Sequence, residues 1–323
     1  EHGLRITHIL ETHRNEDYVI GSLELAARSG ALILHGHQMD FAYGKPVKEG
    51  DCFRLGPIEL KVLETPGHTM ESISVVLTDH DVSQLPSGVF TGDTLFAGDA
   101  GRTDFFGEKK RPQVSAMLYD SITQKLLPLG DQTVIFPAHG AGSICGSEIS
   151  DREFSTIGYE KKANPLLALS REEFIRRKVT EHHYLPPYFR MMEKYNQEGA
   201  PVVHHLPDPK PFGVEELRES QSSAQIVDIR SPTSFATGHI PGSLSIWREG
   251  LPEFMGWFLN YGDPIILVDD FNCNLGEITR HFMRLGYDNF AGYLAGGFPA
   301  WLSSAAPIGK IAAWTVHELA RRR

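Results

Sequence analysis

The 323 residues, 41% hydrophobic and 22% charged, are enough for about two domains, each burying a core of its own. A formal net charge of -10 argues against a nucleic-acid partner, and no apolar run approaches the ~20 residues that cross a bilayer. Three cysteines, Cys52, Cys145 and Cys273, are too few and too far apart for a disulfide framework, so a reducing cytoplasm is the expected setting.

In chain order, residues 6–10 read as a strand that feeds the loop Thr12-His13-Arg14-Asn15-Glu16-Asp17-Tyr18, and residues 18–29 read as a helix. Strand-like runs follow at 31–34, 58–63, 72–77, 89–91 and 133–136, with helical patterns at 113–127, 171–181 and 188–197. Ser170 and Glu173 have capping-box spacing at the head of one of these helices. Residues 1–199 thus form a first α/β domain. Residues 200–212 carry Pro201, Pro207, Pro209 and Pro211 and read as a stiff extended linker. A second α/β pattern occupies 213–308: a helix at 214–219, a strand at 225–229, a buried strand at 265–268 and a helix at 275–285. Residues 309–323 read as the opening of a further unit, with Arg321, Arg322 and Arg323 as a solvated helix end. A start at Glu1-His2-Gly3 and a stop soon after Trp314 lead us to expect a fragment of a longer chain.

Four loops at strand ends carry residues that bind metals. They hold His13; His68 in Thr65-Pro66-Gly67-His68-Thr69; Asp93 in Thr91-Gly92-Asp93-Thr94; and His139 in Pro137-Ala138-His139-Gly140. One such residue is weak evidence, but four on successive strand ends is how α/β folds build sites. The first loop resembles the His-x-His-x-Asp-His signature of the metallo-β-lactamase superfamily. Asn15 and Tyr18 stand where its second and third histidines belong. The resemblance implies an αββα sandwich. An amide oxygen is a poor zinc ligand beside imidazole, and a phenol with a pKa of ~10 stays protonated, so a two-zinc hydrolase is disfavoured. Two imidazoles and one carboxylate remain, the facial triad of mononuclear non-haem Fe(II) oxygenases.

Two further stretches narrow the resemblance. Gly92-Asp93-Thr94-Leu95-Phe96 with Gly101-Arg102-Thr103-Asp104-Phe105, and Pro137 to Ser143 with Cys145-Gly146, are similar to persulfide dioxygenases, the iron members of the superfamily. That resemblance implies one Fe(II) per chain held by His13, His68 and Asp93, with zinc as the alternative ion. It implies a small thiol persulfide and O2 as substrates, with sulfite and free thiol as products. Asp17, Tyr18 and His139 become candidate catalytic groups: Asp17 to orient His13 or a water, Tyr18 to donate to dioxygen or to pack at a helix start, His139 to hydrogen-bond near the open face. Arg102 is either an anchor for the thiol's carboxylate or a partner of Asp99 or Asp104. Cys145 reads as a buried small side chain. A single-zinc thioester hydrolase and a non-enzymatic sulfur-binding protein are the alternatives, and a homodimer is the assembly to look for.

Ile226-Val227-Asp228-Ile229-Arg230-Ser231, Gly238-His239-Ile240-Pro241-Gly242-Ser243 and Gly296-Gly297-x-x-Ala300-Trp301 resemble rhodanese domains, which implies a parallel sheet. Rhodanese chemistry needs a cysteine immediately after the central strand, in a loop whose N–H groups face a persulfide anion. Asp269 and Asp270 stand there instead, and Cys273 comes later in the loop. A carboxylate does not carry sulfane sulfur and repels an anionic donor, so the module is expected to be inactive.

Overall fold

The structure is a computed structural model that describes residues 3–146 and 148–322. Glu1, His2 and Arg323, on which part of the reading of the chain ends fell, lie outside the described residues. Residues up to 185 together with 193–202 form one compact unit, and residues 186–192 together with 203 onward form another.

The first unit is built on two sheets. Three parallel strands, His8–Leu10, Leu32–Gly36 and Lys45–Val47, make the smaller one. The larger has six strands in chain order: Cys52–Leu55, Ile58–Glu64, Ile73–Asp79, Gly88–Gly92, Val134–Pro137 and Ser155–Thr156. All its pairings are antiparallel except Gly88–Gly92 with Val134–Pro137. Successive side chains on a strand face opposite ways, and this sorts the core into two layers. Val62 and Val75 pack with Leu34 and Val47 of the smaller sheet, whereas their neighbours Leu63 and Val76 pack with Leu118, Ile122 and Phe174 of the helical layer. The expected sandwich with helices is therefore present.

The elements follow the sequence patterns closely, and the departures have local causes. The first helix is Ser22–Ser29 and excludes residues 18–21, because the N–H groups of Asp17 and Ile20 go to the side chains of Asn15 and Asn196. The helix expected at 113–127 is α-helical only over Arg111–Ser121 and widens to a π-turn at Ile122–Leu126. Arg171–Thr180 starts at a capping box in which Ser170 and Glu173 satisfy each other's backbone N–H groups.

The second unit contains a five-stranded, fully parallel sheet in the order Lys210–Phe212, Phe290–Leu294, Ile265–Val268, Gln225–Asp228, Leu244–Ser245. Ile265–Val268 is buried at all four positions, as a central strand covered on both faces must be. Ile226, Ile266, Val268, Leu294, Phe298 and Trp301 meet in its core. Lys210–Phe212, expected as linker, is instead the edge strand of this sheet. An edge position leaves Pro211 without the need for a ladder N–H.

Candidate metal centre

Short, sharply placed loops bring the four predicted strand ends together. His13 leaves the smaller sheet after His8–Leu10, whereas His68, Asp93 and His139 leave the larger one. Two glycines make the close approach feasible. Gly92 sits at φ +54°, where a Cβ would meet Thr12 at 2.8 Å, and a Cβ on Gly101 would lie 3.0 Å from His68 Nδ1.

His68 Nε2 lies 3.4 Å from Asp93 Oδ2, and His13 Nε2 lies 3.7 Å from the same oxygen. All three side chains are buried. His68 Nδ1 meets the Arg102 carbonyl at 3.1 Å. A carbonyl only accepts, so Nδ1 carries the proton and Nε2 turns towards Asp93 as the donor atom. His13 Nδ1 is paired with Thr12 Oγ1 at 3.0 Å, again leaving Nε2 inward.

Glu16 was not singled out from the sequence. Its carboxylate is fully buried, with Oε1 on the Arg14 guanidinium at 3.0 Å and Oε2 at 3.7 Å from His68 Nε2. The only hint in the sequence was an acidic residue inside a metal-type loop, flanked by His13 and Asp17. Among the described residues, His13 Nε2, Glu16 Oε2, His68 Nε2, Asp93 Oδ2 and His139 Nε2 are buried without a hydrogen-bond partner. An unsatisfied buried polar group costs about 1–3 kcal/mol. Several converging on one place mark a site that a cation completes. Donors sharing one ion through bonds of ~2.1 Å lie roughly 3.0–4.2 Å apart, and the spans of 3.4 and 3.7 Å fit.

The charges are arranged to match. Burial would raise Asp93, but His13, His139 and His68 outweigh it and hold the carboxyl well below its usual range. Burial takes His13 down to about 4. His139 is pushed up to about 9: burial opposes its charge, but Asp93 and Asp17 prevail. Its Nδ1 bonds Asp93 Oδ1 at 2.7 Å and its Nε2 is 3.3 Å from Asp17 Oδ2.

One predicted contact is absent, and two open alternatives gain geometry. Asp17 does not contact His13; it faces His139 and accepts from Ser143 Oγ at 3.1 Å and Cys145 Sγ at 3.2 Å. Asp17, His139 and Cys145 form a cluster of their own beside the first. A Cys145–Asp17 hydrogen bond and the 3.3 Å approach of His139 to Asp17 hold it together, with burial and then the Asp93 and Asp17 charges keeping the Cys145 thiol protonated. Arg102 is held by protein partners. Its buried guanidinium forms two 2.7 Å bonds to Asp104 and reaches the Ile144 and Tyr184 carbonyls, which is the paired alternative. Its place in the site is through its backbone carbonyl on His68. Tyr18 packs edge-on to His139 with ring centroids 5.9 Å apart, and burial followed by the Asp93 and Asp17 charges lifts its hydroxyl to about 12, a protonated phenol.

Asn15 turns its amide into the loop, where it accepts from Asp17 N at 2.6 Å. Asn196, 181 positions on, braces the same loop by donating to the Asn15 and Tyr18 carbonyls at 2.7 Å each. Nothing in the sequence pointed to it.

The Metallo-beta-lactamase superfamily matches residues 1–139, and the Rhodanese-like domain matches residues 213–304. A metallo-beta-lactamase from Staphylococcus aureus superimposes with a TM-score of 0.80 at 32% identity, covering 90% of this chain and 85% of that one. The chain belongs to the metallo-β-lactamase superfamily. It joins that fold to a rhodanese-like domain. The mitochondrial persulfide dioxygenase ETHE1 of Homo sapiens is 32% identical over 181 residues, 54% of this chain and 62% of the human protein. A hydroxyacylglutathione hydrolase of Polaromonas sp. is 34% identical over 141 residues, 42% of this chain and 49% of that protein. The chain thus spans less than two thirds of the length of the human and Polaromonas proteins.

In the rhodanese-like domain, Asp269, Asp270 and Cys273 follow the central strand. Asp269 binds Arg248 at 2.8 Å with one oxygen and accepts from Asp270 N at 2.8 Å with the other. Asp270 lies 3.9 Å from Arg230. Cys273 is exposed, between Asn272 and Asn274, both at φ +54°. Here a side-chain carboxylate takes a loop N–H that a bound anion would need.

Proposed function

We propose that this chain is a mononuclear non-haem iron persulfide dioxygenase with a non-catalytic rhodanese-like module. The observation that carries this reading is the convergence of unsatisfied donor atoms from His13, His68 and Asp93, while Asn15 turns into the loop backbone and Tyr18 packs on His139 without offering an imidazole. That arrangement suits one ion rather than two, and two imidazoles with a carboxylate suit Fe(II) with open positions. The similarity to human persulfide dioxygenase supports it. The reaction is R–S–SH + O2 + H2O giving R–SH and sulfite with two protons, R–SH being a small thiol. The bound iron would supply a redox-active centre at which O2 and the terminal sulfur meet.

The protein's own groups set the surroundings. Thr12 and the Arg102 carbonyl fix the rings of His13 and His68. His139 holds Asp93 by one oxygen and carries a proton at the edge of the site, between Asp93 and Asp17. The Tyr18 hydroxyl, protonated and partly exposed, is a second donor beside it.

Anaerobic loading with Fe(II), followed by oxygen consumption and sulfite measurement with glutathione persulfide and coenzyme A persulfide, tests the reading. One iron per chain and one sulfite per O2 are expected. Zinc as the sole bound metal, with no oxygen uptake, overturns it. The similarity to the Polaromonas hydrolase favours a second reading, a single-zinc thioesterase, which turnover of S-lactoylglutathione would establish.

A further inference from the structure

The reading above leaves the fully buried carboxylate of Glu16, in the first metal-type loop, without a task. We propose that Glu16 supplies, through Oε2, a fourth protein donor to the ion held by His13, His68 and Asp93. The inference rests on the metal reading of this site and adds a ligand to it.

Three observations carry it. Glu16 Oε2 is buried and unpartnered, as are His13 Nε2, His68 Nε2 and Asp93 Oδ2. Glu71 Oε2 and Glu160 Oε1 are also buried without a partner, so what sets Glu16 apart is its place beside the imidazoles of His13 and His68. Oε2 also lies 3.7 Å from His68 Nε2, and the donor atoms of His13, Glu16 and His68 all lie within 4.8 Å of one another. Finally, the other oxygen is clamped. Arg14 binds Oε1 at 3.0 Å and is itself held by Glu193 at 2.9 Å, which fixes the carboxylate with Oε2 inward. The neighbouring Asn15 is turned away into the loop backbone, so position 16 provides the inward donor that position 15 does not.

Two imidazoles and two carboxylates have consequences that the triad lacks. A six-coordinate ion held this way would keep two open positions instead of three, enough for O2 and a sulfur ligand. Two carboxylates also balance the charge of a divalent ion, so a persulfide anion approaches a neutral centre.

The test compares the wild-type chain with Glu16→Gln and Glu16→Asp. Fe(II) affinity is measured by anaerobic competition with a chromophoric chelator. The visible spectrum of the Co(II)-loaded protein reports the donor set independently of turnover. Glu16→Gln is expected to weaken Fe(II) binding by about 100-fold, the upper end for an outer-sphere loss, and to change the Co(II) bands. Glu16→Asp keeps the charge but draws the carboxylate back by one methylene, so it should change the bands in the same way. If both variants keep the wild-type spectrum and an affinity within about twofold, the fourth-donor assignment fails while the iron reading stands. A wild-type chain that takes up neither Fe(II) nor Co(II) overturns both.

Discussion

At Arg102 a guanidinium beside the site meets a carboxylate two residues away. Its side chain is fully buried and that of Asp104 is 10% exposed. Removing one member of such a pair leaves an uncompensated charge, so Arg102→Ala should destabilise the fold by about 3–5 kcal/mol in urea unfolding. If Arg102→Ala instead raises KM for the persulfide without loss of stability, the anchor role returns. The pH dependence has a definite sign. Burial would raise Asp104, but the Arg102 hydrogen bonds and charge prevail and hold it below its ordinary 3.8. Its contribution is therefore complete above that value and is lost as pH falls through the lower folded one. Acid titration of Asp104→Asn should lack this component. His139→Asn keeps a donor for Asp93 but removes the titrating ring. Iron content should persist while sulfite formation drops on the order of 100-fold, and unchanged turnover would remove His139 from the chemistry. The metal-binding residue types at strand ends stood out in the sequence because four of them recur on successive strand ends, each being weak evidence alone. Glu16 was not, since an acidic residue at the start of a helix is commonplace and only its burial sets it apart.

Among the elements, the loop from Thr12 to Ile20 decides how the site is held. Periodicity suggested a helix from residue 18, but side chains of Asn15 and Asn196 capture the N–H groups that a helix would use. Asn196 lies on Phe189–Glu198, so the contact depends on tertiary structure and leaves no local trace. Asn196→Ala strands two carbonyls and one N–H of the loop. It should cost about 1–3 kcal/mol in thermal or urea unfolding, with faster iron loss to chelator. Wild-type stability and retention would show the brace to be dispensable. The edge strand Lys210–Phe212 was hidden for a related reason. Its three residues carry no alternation long enough to read, and only pairing with Phe290–Leu294 makes them a strand. Longer elements, such as the capped helix Arg171–Thr180, were legible because cap, periodicity and stop agree over several turns.

For the whole molecule, two α/β units could be read from the sequence pattern and both appear. The second keeps the rhodanese-like sheet but fills its loop with Asp269, whose carboxylate is bound to Arg248 and to the Asp270 N–H. Purified protein should form no thiocyanate from thiosulfate and cyanide, and Cys273→Ser should not alter that result. Cysteine-dependent turnover would show that the exposed thiol can act from its later position. In the first unit the donors come from two different sheets: His13 from the three-stranded one, His68 and Asp93 from the six-stranded one. A cation seated among them would thus add a rivet between layers that apolar packing and the Ile73 N–H to Thr12 carbonyl bond at 2.8 Å already join. Loading it should slow amide hydrogen exchange in Leu32–Gly36 and Ile73–Asp79 together, so that occupancy of a single point governs how readily the whole sandwich opens.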